Sequence, residues 1–287
     1  MTGRTRDPRV TPARGDLAAR HLQDRVTADR YVDGTLCRVT ATTAALRGQP
    51  DPRGQQTSEL LFGELFTVYE VAGDWAWGQA VADGYVGYVP ANVLDGAIDA
   101  ATHKVRALMT HVYRAPDLKS GPIRSLSLES RVAVAQSAPE NEFLRLRGGG
   151  WVFEGHLAAV DAVEPDFVAV AERLIGIPYL WGGRSAFGLD CSGLVQLALA
   201  CAGLPAPRDS DMQAATIGER MPVSFEAGAL RRGDLVFFPG HVGIMTDPQT
   251  LLHAIAWDMS VRRHPLDYVI ERIGRAHEKP VTAIRRL

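Results

Sequence analysis

The chain has 287 residues, 46% hydrophobic and 22% charged, with a formal net charge of −2. That length suits two or three domains, and the composition is ordinary for a globular protein. The charge excludes a chain drawn to nucleic acid or an anionic membrane by its overall field. No apolar run approaches the roughly 20 residues that cross a bilayer.

Residues 1–35 are a polar N-terminal extension. Asp16 is placed to cap a short helix whose stripe is Leu17, Leu22 and Val26. The opening "MTGRTRDPRVTPARGDL" has charges but no apolar h-region, so no secretory signal is expected. The cysteines, Cys37, Cys191 and Cys201, are odd in number and scattered. They do not read as a disulfide framework, and a reducing cytoplasm is the simpler setting.

Residues 36–97 turn to short alternating strands. "GELFTVYEV", "WAWGQAVA" and "GYVGYVPANVL" are separated by the turn signals "AGD" and "ADG". Close-set short strands predict a small barrel. The stretch from "GELFTVYEV" to "VPANVL" resembles a bacterial SH3-like domain, with Gly-Glu, Gly-Asp-Trp and Gly-Tyr-x-Gly-Tyr-x-Pro in order. Residues 98–160 repeat the theme more faintly, "GGWVFEGHL" taking the place of "GYVGYVPANVL". A second barrel is the expectation there, with one larger β domain as the alternative.

Residues 161–287 begin with the acidic connector "VDAVEPDF" and change to an α+β pattern. A helix runs through "DFVAVAERLIG", capped by Asp166 and ended by Gly176. The Gly-rich loop "PYLWGGRSAFGLD" follows, then an apolar helix opened by Cys191 and closed at Gly203. The later runs "GDLVFF", "HVGIM", "LLHAI" and "PVTAIRRL" read as strands.

A cysteine at a helix start sits among unpaired N–H groups carrying about half a positive charge, a field that favours thiolate. Cys191 is therefore placed as a nucleophile, whereas Cys201, inside the apolar stretch, reads as core. His241 and His253 flank the turn "TDPQT" and are symmetric about Asp247. In a hairpin centred there they face each other, one imidazole serving as base and the other as its orienter. Cys191 with both histidines is also a conceivable zinc set, but no CxxC or HxxxH spacing supports it, and no metal or cofactor is expected.

"GIPYLWGGRSAFGLDCSGLVQLAL", "RRGDLVFF", "GHVGIM" and "LLHA" together resemble the NlpC-type cysteine peptidases of bacterial cell-wall metabolism. The resemblance implies a papain-like fold, a cysteine-bearing helix packed on an antiparallel sheet that bears the histidines. It implies Cys191 as nucleophile, His241 as general base and then acid, and His253 as orienter. Tyr179, with the Cys191 N–H, would hold the oxyanion.

The subgroup with preceding SH3-like domains resembles γ-D-glutamyl-L-diamino acid endopeptidases that require a free N-terminal L-Ala. Asp190 and Ser192 match the positions that would read that ammonium. A carboxylate beside a thiolate makes sense if a substrate cation neutralises it, although Asp190 could equally cap the helix. Tyr85 or Tyr88, and Glu64 or Glu59, are candidates for contact with the alanine end, the first barrel closing one side of the cleft. Arg208, Asp209 and Ser210 match a loop beside the cleft and could bind substrate carboxylate or backbone.

The expectation is a cytoplasmic recycling enzyme for murein-derived peptides, with no nucleic-acid or membrane partner. Hydrolysis of the intact wall, or a non-catalytic wall-peptide-binding protein, are the alternatives. Diaminopimelate and lysine at the diamino position stay open, as does the oligomeric state.

Overall fold

A computed structural model describes residues 6–135, 138–226 and 228–287. The chain divides into two compact units, Met1–Val160 and Asp161–Leu287.

In the first unit, seven strands pair in the order Gln56–Leu61, Thr43–Arg47, Val86–Pro90, Trp75–Ala80, Leu65–Ala72, Thr35–Val39, Leu94–Asp95. Alternating burial along Thr43–Arg47 and Val86–Pro90 sends Ala44, Leu46 and Val89 into one apolar cluster with Phe66, Ala76 and Tyr85. Residues 103–159 repeat that order strand for strand. Pro122–Ser127, Met109–Tyr113, Trp151–Phe153 and Phe143–Arg145 form one sheet; Arg131–Val132, His103–Val105 and Leu157–Ala159 form another. A Val134–Leu146 bridge spans the break between them.

In both repeats a 3-10 turn joins the last two strands, Ala91–Val93 and Glu154–His156. These are the paired segments "VPANVL" and "VFEGHL". The second repeat has its own core of Val105, Val112, Leu126, Leu144 and Val152. The two repeats meet backbone to backbone at Gly63, which has φ +79°, and where a Cβ would lie 2.0 Å from the Arg131 carbonyl oxygen.

The helix expected at Asp16 is not formed. Leu17–Ala19 is a strand paired in parallel with Arg30–Val32, and only a 3-10 turn, Arg20–Leu22, follows. Leu17, Ala18 and Ala19 are all fully buried. Three consecutive buried residues suit a strand covered on both faces, not a helical stripe. The Asp16 carboxylate is engaged by Arg14 at 2.8 Å instead of capping.

The second unit is an antiparallel sheet with helices against it. Its strands run Glu219–Met221, Ala283–Arg286, Leu235–Phe238, His241–Met245, Thr250–Ile255, Ser260–Pro265 in spatial order. Helix α1 is Phe167–Arg173, with the Asp166 carboxylate accepting from the N–H groups of Val168 and Ala169 as the sequence predicts. Helix α2, Cys191–Cys201, is buried all round, Gln196 included, and contacts strands His241–Met245 and Thr250–Ile255. A helix without a solvent face belongs to a core. Helices α3, Ser210–Thr216, and α4, Leu266–Gly274, follow. Leu266 and Val269 of α4 pack with Val236, Phe238, Met245, Leu251 and Ile284.

Asp234 of the "RRGDLVFF" run is fully buried and accepts from Arg286 Nε and Nη2, both at 2.7 Å. This bidentate pair ties the last strand to Leu235–Phe238. The motif's acid thus has a structural task.

Candidate active site

Cys191 is the first residue of α2, and the local sequence fixes it there. Asp190 has extended backbone, φ −93° and ψ 178°, and its Oδ1 accepts from the Gly193 N–H at 2.7 Å. Gly193 must lack a side chain, because a Cβ would lie 2.2 Å from the Gly183 carbonyl oxygen. Gly183 in turn lies close to Gly188, where a Cβ would meet the carbonyl oxygen at 2.5 Å. The glycines of "WGG" and "DCSG" are thus two sides of one contact that sets the start of α2 against the preceding loop.

Asp190 already has one cationic partner within the chain. Arg208, 1% exposed, donates from Nη2 to Asp190 Oδ2 at 2.6 Å and from Nη1 to Oδ1 at 2.9 Å. The Gly182 N–H also donates to Asp190 Oδ2 at 2.9 Å, and Ser192 Oγ to Oδ1 at 3.2 Å. Arg208 Nη1 further reaches Ser192 Oγ at 3.0 Å, and Gln213 Nε2 donates to the Ser192 carbonyl oxygen at 3.0 Å. Asp190 and Ser192 are therefore the hub of an internal network, and Arg208 is a buried group whose guanidinium faces Asp190 and Ser192. Of the same loop, Asp209 stands at the N-cap position of α3 and Ser210 opens that helix; both are half-buried.

His241 begins its strand directly after the two-residue Pro239–Gly240 turn, which pairs Phe238 with His241; Gly240 has φ +67°. The hairpin that carries both histidines differs by one residue from the sequence expectation. Asp247 Oδ1 accepts from the N–H groups of Gln249 and Thr250, and the ladder pairs Ile244 with Leu252 and Met245 with Leu251. The centre is Pro248, not Asp247, so His241 and His253 are diagonal neighbours on one face instead of directly opposed. The diagonal still brings His241 Nε2 and His253 Nδ1 to 2.9 Å.

The backbone N–H of Val242 donates to the Cys191 sulfur, which places the start of the His241 strand beside that sulfur. Burial pushes the Cys191 thiol up to about 12, reinforced by Asp190; the Val242 N–H, Arg208 and the Ser192 N–H pull the other way. Burial pushes His241 down to about 4 against the opposing pull of Asp190. His253, fully buried, is pushed down to about 2 by burial and by its neighbours His241 and His264. Desolvation thus opposes the helix-start field: it favours a thiol on Cys191 and a neutral imidazole on His241, a form able to accept a proton.

Tyr179 belongs to the same centre. Its hydroxyl is held above the usual tyrosine range by burial and by the nearby Cys191 and Asp190, so it stays an O–H donor. Its N–H donates to the Met259 carbonyl oxygen at 2.9 Å, anchoring the loop. Cys201 is buried within α2. Among the described residues no group of three or more His, Cys, Asp or Glu side chains is gathered as a metal ion would require. No described helix is long and apolar enough to cross a membrane.

Tyr85, Tyr88 and Glu64 lie in the first unit. Tyr85 is 5% exposed and part of its apolar cluster, a core position the alternation of "DGYVGY" permits. Tyr88 Oη accepts from Arg14 Nη1 at 2.9 Å, and Glu64 Oε2 accepts from the Leu61 N–H at 2.8 Å; Glu59 is buried. Two residues joined to the site, His264 and Asp258, escape the sequence reading: His264 Nδ1 lies 2.9 Å from His253 Nε2. The signal was the turn "AWDMS" after "LLHAI", which returns "VRRH" as one more hairpin strand.

Two segments of the chain match known family models. Residues 176–277 match the NlpC/P60 family, and residues 46–94 match the bacterial dipeptidyl-peptidase Sh3 domain. Dipeptidyl-peptidase 6 of Lysinibacillus sphaericus is 29% identical over 80% of this chain and 91% of its own. The γ-D-glutamyl-L-lysine dipeptidyl-peptidase of Bacillus cereus is 26% identical over 78% of this chain and 75% of its own. The crystal structure of an NlpC/P60 family protein from Bacillus cereus shares the fold, with a TM-score of 0.71 at 19% identity over 88% of this chain and 99% of that one.

Proposed function

We propose that the chain is a cysteine peptidase of short murein peptides, a reading supported by its matches to a bacterial dipeptidyl-peptidase Sh3 domain and to the NlpC/P60 family. It cleaves the bond between the γ-carboxyl of D-Glu and the diamino acid in peptides that begin with a free L-Ala. The peptides are those already released from the wall, and the reaction belongs to their cytoplasmic recycling. The observation that carries this reading is the Cys191 sulfur at the tip of α2, hydrogen-bonded by the Val242 N–H beside a His241 linked at 2.9 Å to His253. The names of the relatives, dipeptidyl-peptidases, support release of a dipeptide from an amino end.

The chemistry follows from neutral partners. His241 Nδ1 takes the proton from Cys191 as the sulfur attacks the γ-carbonyl carbon, so charge separates only as the bond forms. The resulting oxyanion accepts from Tyr179 Oη and from the Cys191 N–H. Collapse expels the diamino-acid amine, which takes its proton from His241. Water then attacks the thioester, His241 removes its proton, and L-Ala-D-Glu leaves with Cys191 again a thiol.

The test is a defined set of substrates. L-Ala-γ-D-Glu-diaminopimelate and its lysine counterpart, each also N-acetylated on alanine, are compared with purified sacculi. The proposal expects L-Ala-D-Glu from the free peptides and little from the acetylated peptides or sacculi. Equal rates on acetylated peptide overturn the free-amine reading. Preferential release from sacculi overturns the recycling role.

A further inference from the structure

The histidine pair continues outward. Beyond the His253–His264 contact at 2.9 Å, His264 Nε2 lies 3.1 Å from Asp258 Oδ2. His264 is on the strand Ser260–Pro265 and Asp258 in the turn before it, so one hairpin presents both to His253. The line runs from His253, fully buried, to Asp258, whose side chain is about one-third exposed, at 34%. Aromatic rings fix its flanks. Trp257 stands edge-on to His253, with ring centres 5.8 Å apart, and Tyr268 of α4 lies 5.4 Å from His264. Arg272 covers Trp257 at 4.5 Å and donates to Tyr268 Oη at 2.7 Å.

The chemistry of imidazole gives this line a direction. A neutral ring has one N–H donor and one lone pair, whereas a carboxylate only accepts. With His264 neutral, its Nε2 donates to Asp258 and its Nδ1 accepts from His253 Nε2. His253 Nδ1 in turn accepts from His241 Nε2. What is left on His241 is a lone pair on Nδ1, the form that can remove a thiol proton. Run in the opposite sense, the same contacts would put a hydrogen on His241 Nδ1 and leave no base. The acceptor at the end of the line decides between the two senses, because only one of them lets a carboxylate accept.

We propose that His264 and Asp258 are positioning residues which, through His253, set the tautomer of His241 and make its Nδ1 the base. This rests on the reading of Cys191 and His241 as nucleophile and base. The same line steadies the imidazolium that His241 becomes when it holds the proton, since each bond in turn shifts positive charge toward the carboxylate.

The test uses the full chain with ¹⁵N-labelled histidine. Ring nitrogen shifts and their couplings to ring protons distinguish Nδ1–H from Nε2–H in the resting protein, and also in a Cys191→Ala background where no turnover is needed. The wild-type protein should show His241 protonated on Nε2 alone. In Asp258→Ala and His264→Phe, the Nδ1–H form of His241 should appear. On the murein tripeptide, kcat should fall by roughly 10- to 100-fold with KM little changed, the scale of lost outer-shell support. Asp258→Glu should restore both readouts in part. An Nδ1–H tautomer in the wild-type protein, or a His241 tautomer unmoved by either substitution, overturns the proposal whatever the activity. If the tautomers behave as stated but the wild-type protein cleaves no peptide, the relay stands and the peptidase reading falls.

Discussion

The guanidinium of Arg208 holds both oxygens of Asp190, Nη2 to Oδ2 at 2.6 Å and Nη1 to Oδ1 at 2.9 Å, with the arginine side chain wholly out of water. This pair lies under the first turn of α2 and joins the helix of Cys191 to the loop before α3. It supplies locally a positive charge for a carboxylate that stands next to the Cys191 sulfur.

Removing the cation should therefore cost far more than a surface charge. In Arg208→Met the buried Asp190 loses its ion-pair partner, and such breaks cost about 3–5 kcal/mol. Arg208→Lys should recover only part, because an ammonium does not match both oxygens at once. Urea unfolding of the variants measures this. A loss under about 1 kcal/mol, the range of exposed pairs, would contradict the account.

The protonation of the resting site leads to a second expectation. With the Cys191 thiol pushed up to about 12 and His241 down to about 4, the neutral pair prevails at pH 7. The rate of Cys191 alkylation by iodoacetamide should be low at pH 6–7 and still rising above pH 9, read by mass spectrometry of the Cys191 peptide. A plateau already reached by pH 6 would reveal a thiolate–imidazolium pair and reverse the burial argument.

The same histidines make folding stability depend on pH. His241 and His253 have folded values of about 4 and about 2, below their ordinary 6.5. As pH falls, the unfolded chain takes up these protons first, so the unfolded state is favoured. The stability is fully present above about pH 6.5 and declines toward the folded values, with a slope of up to about 1.4 kcal/mol per pH unit for each histidine. Urea midpoints between pH 7.5 and 5.0 should fall in the wild-type protein and flatten in His241→Gln/His253→Gln. Equal slopes in the two proteins would exclude these groups as the cause.

Much of the centre is legible in the sequence because its determinants are local. A cap residue before an apolar run announces α2, and the Pro-Gly and "TDPQT" turns announce the histidine strands. What is not legible is long-range or fine-grained. The Asx turn at Asp247 displaces the hairpin centre by one residue, which converts a facing histidine pair into a diagonal one. Arg208 reads as a loop residue because nothing in "PRDSDMQ" reveals that its side chain turns inward to Asp190. The strand Ser260–Pro265 and helix α4 pass unnoticed because "VRRHPLDYVIERIG" mixes charge with apolar residues too evenly for a strand pattern. With them His264 is missed. At the N-terminus, the buried Leu17–Ala19 run owes its strand to pairing with Arg30–Val32, a contact no local pattern encodes.

The central claim is that Cys191 and His241 act together on a peptide carbonyl. The most direct measurement is release of the diamino acid from L-Ala-γ-D-Glu-diaminopimelate by the wild-type protein, Cys191→Ala and His241→Ala, each first shown to be folded by its urea transition. The account predicts turnover by the wild-type protein and a loss of roughly 10⁴-fold or more in either variant, because a nucleophile and its base act as one unit. Turnover by Cys191→Ala within about tenfold of the wild-type protein would contradict it.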